Sequence, residues 1–326
     1  MNDQPVNDVS ASIRQRLLNL RGELGENFML ILNRYARERL LYRIGISPHS
    51  DRFVLKGATL FTLWDEQPHR MTRDIDLLGL GDSAIPELVR VFQDICALPA
   101  DDDGLRLQAD EITGEEIRED QVYGGIRIRL SAYIGKTRIR VQVDIGFGDA
   151  VTPGTEEVSI PCLLDLPKPR LRAYPQETVI AEKTQVMVVL GMANSRMKDF
   201  YDLWTLARNH EYDGRSLSEA LRATFARRRT AIPEDMPIGL SEEFGADGVK
   251  RVQWQAFMRK SGLAADRPEL AAVIEVMREF LLPPMEAARD GRLLSSRWYP
   301  KHGWSGVLGE QTAGHTRRSD ASNRSE

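Results

Sequence analysis

Between Gly124 and Phe147 apolar and polar residues alternate in two consecutive runs, and this constrains the fold more than any other stretch of the chain. Ile126, Ile128 and Leu130 alternate with Arg127, Arg129 and Ser131. After Gly135-Lys136, Ile139, Val141, Val143 and Ile145 alternate with Arg138, Arg140, Gln142 and Asp144. Alternation with a period of two puts every second side chain on the same sheet face. A two-residue turn containing glycine joins such runs into an antiparallel hairpin. Pairing Ile134 with Thr137 fixes the register. Ile128 then opposes Val143 and Leu130 opposes Val141 on an apolar face. On the other face Arg127 opposes Asp144 and Arg129 opposes Gln142. A slip of one residue would destroy that division.

A second stretch supplies acidic partners for Asp144. Phe53-Val54-Leu55 reads as a short strand, followed by Lys56 and a turn at Gly57. Ala58 to Asp65 reads as helical, with Leu60, Phe61, Leu63 and Trp64 apolar and Pro68 as the stop. Asp74 to Leu78 is the next strand. Within it Asp74 and Asp76 share one face, while Ile75 and Leu77 point to the core. If the strands are neighbours, Asp74, Asp76 and Asp144 gather on one charged face rimmed by arginine. Carboxylates in such a set suit Mg²⁺, which takes oxygen ligands and usually one or two carboxylates plus phosphate oxygens. Two ions about 3.5–4 Å apart can hold both the attacking and leaving oxygens of a phosphoryl displacement. Gly57 lets a phosphate approach the backbone, and the helix beginning at Ala58 aims its N–H groups there. Each part alone has a plain explanation. A DxD is common, Lys-Gly before a helix is a turn, and Asp144 can simply pair with Arg127. The specificity lies in the order of strand, glycine turn, helix, DxD strand and later aspartate strand.

The remaining chain reads mostly as helices. Two are expected between residues 10 and 45, one from Ser83 through Leu98, one over 178–191 and one from Arg196 to about Asn209 with Ser195 as cap. Others are expected at 216–229, 249–260 and 267–281. Pro153 to Pro175 reads as an extended crossover. Asp101–Asp103, the acidic run from Asp110 to Asp120, Lys168–Arg172 and Arg227–Arg229 read as solvated surface. Tyr201 and Trp204 read as core. The five histidines show no metal-ligand spacing, with His69 placed at a turn. Cys96 and Cys162 lack a CxxC arrangement, which argues against a disulfide framework and for a reducing cytoplasm. No apolar run approaches the ~18 residues of a membrane span, and the polar Met1–Ser10 does not read as a secretory signal. The net charge of −4 argues against a broad nucleic-acid groove while leaving room for a local basic patch. The expected organisation is α+β with a mixed sheet: N-terminal helices over 1–45, a catalytic core over 46–165, a helical domain over 166–308 and a disordered tail over 309–326.

The local wording extends this pattern. Phe53-Val-Leu-Lys-Gly-Ala, Arg70-Met-Thr-Arg-Asp-Ile-Asp-Leu, Ala181-Glu-Lys and Arg196-Met-Lys-Asp-Phe-Tyr-Asp-Leu-Trp occur in that order. The chain thereby resembles the AbiEii/AbiGii toxin family, the MenT-like nucleotidyltransferases of type IV and related toxin–antitoxin systems within the DNA polymerase β-like superfamily. The resemblance runs from about residue 50 to 210. It implies a nucleotidyltransferase core and a Mg²⁺-dependent transfer of NMP from an NTP to an acceptor hydroxyl, with tRNA as a possible acceptor and an antitoxin protein as partner. It assigns Asp74, Asp76 and Asp144 to two Mg²⁺ ions and Lys183 to nucleotide phosphate. Asp199, with Asp202 beside it, would support the site from the following helix. Lys56, Gly57, Ala58, Thr59, Arg73, Arg127 and Arg196 complete the expected nucleotide-binding set. Where relatives commonly carry Gly-Gly or Gly-Ser, this chain has Gly57-Ala58, so a serine contact to phosphate is missing and Thr59 is the candidate replacement. From the residues alone, Asp199 falls beside Leu203 and Leu206 on the helix and needs a buried partner, for which Lys183, Arg196 and Arg73 are available. Lys183, read in a first helical turn, opposes the helix dipole there and favours a bound anion. Two alternatives stand beside transfer: a catalytically idle relative that binds nucleotide or a partner, and a metal-dependent NTP hydrolase.

Overall fold

A computed structural model describes residues 8–64, 74–100, 103–117, 124–261 and 268–306. The expected hairpin is present. Strands β4 (Gly125–Ile134) and β5 (Thr137–Phe147) pair with Ile134 against Thr137, Ile128 against Val143 and Arg127 against Asp144. Five more strands join them: β1 (Phe53–Lys56), β2 (Ile75–Gly79), β3 (Leu105–Ile117), β6 (Glu156–Ser159) and β7 (Arg170–Ala173). Among the described residues the order is β3-β4-β5-β2-β1-β7-β6. Two pairs, β5 with β2 and β1 with β7, are parallel and the rest antiparallel. The mixed α+β class expected from the sequence is the one observed.

One face of this sheet is apolar because the strand registers stack the apolar sets. Leu55 lies opposite Leu77, Leu77 opposite Ile145, and Ile75 opposite Val143, all fully buried. Helices α1 (Val9–Leu24), α2 (Phe28–Ile46) and α4 (Ile85–Ala97) cover it, α2 packing on β5 and β7 and α4 on β3. The short α3 (Phe61–Trp64) follows a 3-10 turn over Gly57–Leu60. On the chain's C-terminal side, α5 (Gln176–Leu190), α6 (Met197–Asn209), α7 (Gly214–Arg227), α8 (Glu242–Ala246), α9 (Gly248–Lys260) and α10 (Leu270–Arg289) form a second packed layer. No helix among the described residues is long and apolar enough to cross a membrane.

Several expectations need correction. The stretch 153–175 contains β6 and β7, two four-residue strands too short to show alternation. Asp110, Glu111, Glu115 and Glu116 are exposed, as expected of a solvated run, and lie in β3, an unexpected strand whose register shifts between Gln108 and Thr113, so its apolar residues change phase and the period of two disappears. A three-stranded sheet of β8 (Tyr212–Asp213), β9 (Ser296–Tyr299) and β10 (Gly303–Gly306) lies within the segment expected to be helical. It is anchored by Trp298, whose indole N–H donates to Ala207 O at 2.7 Å. Helix α10 continues through Pro283 and Pro284 to bury Met285, Ala287 and Ala288, tertiary packing outweighing the proline penalty. Ser195 does not cap α6, whose N-cap is Arg196.

Asp103, expected at a solvated surface, is 2 % exposed. Arg39 Nε donates to its Oδ2 at 3.1 Å and Arg43 Nη1 to the same oxygen at 2.7 Å. The Tyr35 hydroxyl donates to its backbone carbonyl. This buried charge group ties α2 to the start of β3. The expected tail over 309–326, the Pro68 stop, His69, and Asp101 and Asp102 fall outside the described residues.

Candidate active site

The strand registers line up five charged residues across the sheet. Lys56 of β1 lies opposite Asp76 of β2, Asp76 opposite Asp144 of β5, Asp144 opposite Arg127 of β4, and Arg127 opposite Glu115 of β3. Directly opposite residues share a sheet face, so the two central carboxylates stand side by side with a cation at each flank. Asp74, two residues before Asp76, enters the same face from just outside β2. Arg127 grips Asp144 with both ends of its guanidinium, Nε to Oδ1 at 2.8 Å and Nη2 to Oδ2 at 2.7 Å. The chain's one-sided charge pattern folds into this row because the sheet's other face is already claimed by valine, isoleucine and leucine.

Gly57 is required by Asp76. Its φ is +75°, a left-handed conformation that side chains disfavour, and a Cβ there would lie 2.6 Å from Asp76 Cγ. The turn therefore presses its bare backbone against the carboxylate. Ala58 is buried yet reaches the cleft wall. Thr59, the expected replacement for the missing serine, is buried at 9 % exposure and does not line the cleft. Gly57, Ala58, Lys56, Asp74, Asp76, Arg127, Asp144, Lys183, Arg196 and Asp199 all line one open cleft of about 1630 Å³. Basic side chains outnumber acidic ones in that lining, although the whole chain is net negative.

Electrostatics strain the carboxylates. Burial pushes Asp76 above the ordinary carboxylate range, and Asp144 and Asp74 push further, against the opposing pull of Lys56 and Lys198. Asp74 is raised in the same way by burial and by Asp144, against Arg127, Arg37 and Lys198. The donors fit a divalent cation by chemistry: hard oxygens, adjacent in register, repelling one another. They do not form a closed ligand cage. Among the described residues no group of three or more acidic, histidine or cysteine side chains is arranged to hold a metal, and both Asp144 oxygens are engaged by Arg127. Mg²⁺ does not need such a cage, since it commonly binds through one or two carboxylates and completes its shell with water and substrate phosphates.

The helical side of the cleft carries the second expected set. Lys183 Nζ is 2.6 Å from Asp199 Oδ1 and 2.9 Å from Asp202 Oδ2, and Arg196 Nε is 2.7 Å from Asp199 Oδ2. The buried partners inferred for Asp199 are therefore Lys183 and Arg196. Burial alone would raise Asp199, but Lys183 and Arg196 outweigh it and hold the carboxyl below its usual range. Asp202 is completely buried behind Lys183 and does not reach the cleft surface. Lys183 sits two turns inside α5 rather than in its first turn, so the helix-dipole argument does not apply to it. Arg73 lies outside the described residues. Tyr201 and Trp204 are buried among Trp254 and Phe257, as expected of core residues.

Sequence reasoning missed the group at the end of the charged row. Lys56 Nζ is 2.9 Å from Asp149 Oδ2, and Arg228 Nη2 is 2.9 Å from Asp149 Oδ1. Glu182 of α5 completes the group, 3.3 Å from Arg228 Nη2. Burial raises the Glu182 carboxyl, while Lys56 and Arg228 overcome burial at Asp149 and lower it. Asp149 carried one signal, a position just beyond the carboxyl end of β5 beside Gly148. Arg228 carried none, because a run of three arginines after a helix looks like surface.

The nucleotidyl transferase AbiEii toxin family of the type IV toxin–antitoxin system matches residues 39–276 of this chain. No curated protein matches. Two solved structures from Helicobacter pylori are similar in part. JHP933 shares 17 % identity with a TM-score of 0.42, covering 80 % of this chain and 92 % of its own. A candidate nucleotidyltransferase shares 15 % identity with a TM-score of 0.40, covering 79 % and 92 %.

Proposed function

The chain belongs to the nucleotidyl transferase AbiEii toxin family, and on that premise we propose that it transfers a nucleoside monophosphate from an NTP to an acceptor hydroxyl. The observation that carries this reading is the Lys56–Asp76–Asp144–Arg127 row beside the Gly57 turn. In the proposed reaction the acceptor oxygen forms a bond to the α-phosphorus while the bond from that phosphorus to the β-bridging oxygen breaks. Pyrophosphate leaves, and the hydroxyl proton passes to a carboxylate of the set, Asp144 in this reading, and then to solvent. Asp76 and Asp144, with Asp74 at their side, would hold Mg²⁺, two ions in the full form of the site. Bound there, the metal would neutralise charge on the phosphates and on the attacking oxygen. Gly57 lets Asp76 press against the turn, and Lys56, Arg196 and Lys183 line the cleft where the phosphates would lie. Positioning and electrostatics supply most of the rate in such transfers.

The acceptor we favour is RNA, with tRNA the first to test, because the cleft lining is rich in arginine and lysine. The family's type IV toxin–antitoxin name points to an antitoxin partner. Reducing cytoplasm, where NTPs and RNA coincide, is the proposed location. A second reading, nucleotide binding without turnover, is favoured by Ala58 in the serine position and by the grip of Arg127 on Asp144. Incubating the protein with each labelled NTP, Mg²⁺ and total cellular RNA separates them. A labelled RNA band that Asp76→Asn abolishes supports transfer. Binding with no labelled product supports the second reading, and phosphate release without acceptor supports hydrolysis.

A further inference from the structure

We infer that Asp149, Glu182 and Arg228 are positioning residues that aim the Lys56 ammonium at the phosphates of the donor nucleotide, an inference that rests on the transfer reading above. Lys56 ends β1 beside the Gly57 turn and opposite Asp76. Its side chain crosses Gly146 of β5, where a Cβ would sit only 3.1 Å from the ammonium nitrogen. It then reaches Asp149 Oδ2 at 2.9 Å, with Glu182 Oε2 at 4.0 Å. Arg228 closes the far side. Its Nη2 takes Asp149 Oδ1 at 2.9 Å and approaches Glu182 Oε1 at 3.3 Å, and its Nη1 donates to Gln185 Oε1 at 3.0 Å.

Two carboxylates are thus divided between two cations. Arg228 hydrogen-bonds one oxygen of Asp149 and lies 3.3 Å from one oxygen of Glu182, while the second oxygen of each acid faces the lysine, at 2.9 Å and 4.0 Å. The arginine side chain is 8 % exposed, whereas Lys56 keeps 18 %. An ammonium has three N–H donors; Asp149 takes one, and Lys56 still faces the cleft. The group joins four separated chain segments: the end of β1, the loop after β5, the middle of α5 and the residue after α7. Buried ion clusters are weak stabilisers against apolar packing. A four-charge cluster in the wall of a cleft is better explained by what it holds in place. Without Arg228, both carboxylates would draw on Lys56 alone and pull its ammonium away from the ligand.

The test is steady-state kinetics of wild type, Arg228→Met, Arg228→Lys and Glu182→Gln. ATP, GTP, CTP and UTP are used in parallel with Mg²⁺ and total cellular RNA, and thermal melts are run on each protein. Arg228→Met should raise KM for the NTP used about tenfold, the scale of one charge-assisted hydrogen bond, with kcat within about threefold. Arg228→Lys should recover KM to within about threefold of wild type, because it restores a cation. A purely structural role would lower the melting temperature and leave KM alone. Unchanged KM in Arg228→Met, or no rescue by lysine, overturns the inference. If Arg228→Met does not fold, Glu182→Gln decides, since it removes one charge at constant shape; a KM rise of about threefold or more supports the inference and an unchanged KM overturns it. Wild type that incorporates none of the four NTPs overturns the transfer reading and this inference with it. Active wild type with unaltered variants overturns this inference alone.

Discussion

Asp76 and Asp144 oppose each other directly across the parallel β2–β5 pair, two partly buried carboxylates in one register position. Like charges so placed destabilise the fold that holds them. They therefore set up a trade between stability and chemistry.

Asp76→Asn should abolish nucleotide incorporation while raising, or at least preserving, the melting temperature of the metal-free protein at neutral pH. The sign follows from linkage. Asp76 titrates higher in the folded chain than in the unfolded one, so its favourable contribution is complete below the unfolded value and lost as pH rises through the folded one. Asparagine removes that loss. A clear fall in melting temperature at pH 7, with acid pH giving no relief to wild type, would contradict the account.

Arg127→Met should cost roughly 1–3 kcal/mol, because it strips Asp144 of a bidentate partner and leaves the carboxylates facing each other. Mg²⁺ should then stabilise the variant more than it stabilises wild type, since the cation replaces the missing charge. Paired thermal melts with and without MgCl₂ measure this. Equal magnesium shifts in the two proteins would argue that these carboxylates do not bind the ion.

Gly57→Ala should destabilise by about 1–2 kcal/mol from the left-handed backbone alone, with a further cost from contact with Asp76. Activity should fall with it, because the carboxylate must move. Denaturant midpoints and incorporation assays on the same preparation test both halves. A variant of normal stability and full activity would remove the close approach from the argument.

Lys183→Met leaves Asp199 and Asp202 buried without their shared ammonium. Breaking such a group by removing one partner costs about 3–5 kcal/mol. In wild type Asp199 is held low, so its contribution to stability exists above the unfolded carboxylate value and disappears as pH falls through the folded one. The variant should invert this, gaining stability as pH falls from 7.5 toward 5, because the two carboxyls then titrate high. Denaturant midpoints at both pH values give the answer. A pH-independent loss would mean Arg196 alone satisfies the pair.

Asp103→Ala should also cost about 3–5 kcal/mol by uncovering Arg39 and Arg43. Incorporation per folded molecule should stay unchanged, because this cluster lies on the helix-covered side of the sheet. A drop in activity without a drop in stability would place the α2 contact in the catalytic path.

The residues of the β4–β5 hairpin announced their own register, because a period of two and a two-residue turn are local properties that any neighbour must respect. The same holds for Asp74 and Asp76 on one face, for the need of Asp199 to find a cation, and for the central part of most helices. Which charges are buried together was decided only in three dimensions. Asp103 and Arg228 sit in runs that look solvated, and they are buried because segments sixty and eighty residues away supply opposite charge within about 3 Å. The shift in β3 likewise erased an alternation that a straight strand would have shown. Local periodicity is written in the order of residues, whereas the pairing of distant ions depends on which strands become neighbours. That choice belongs to the fold as a whole.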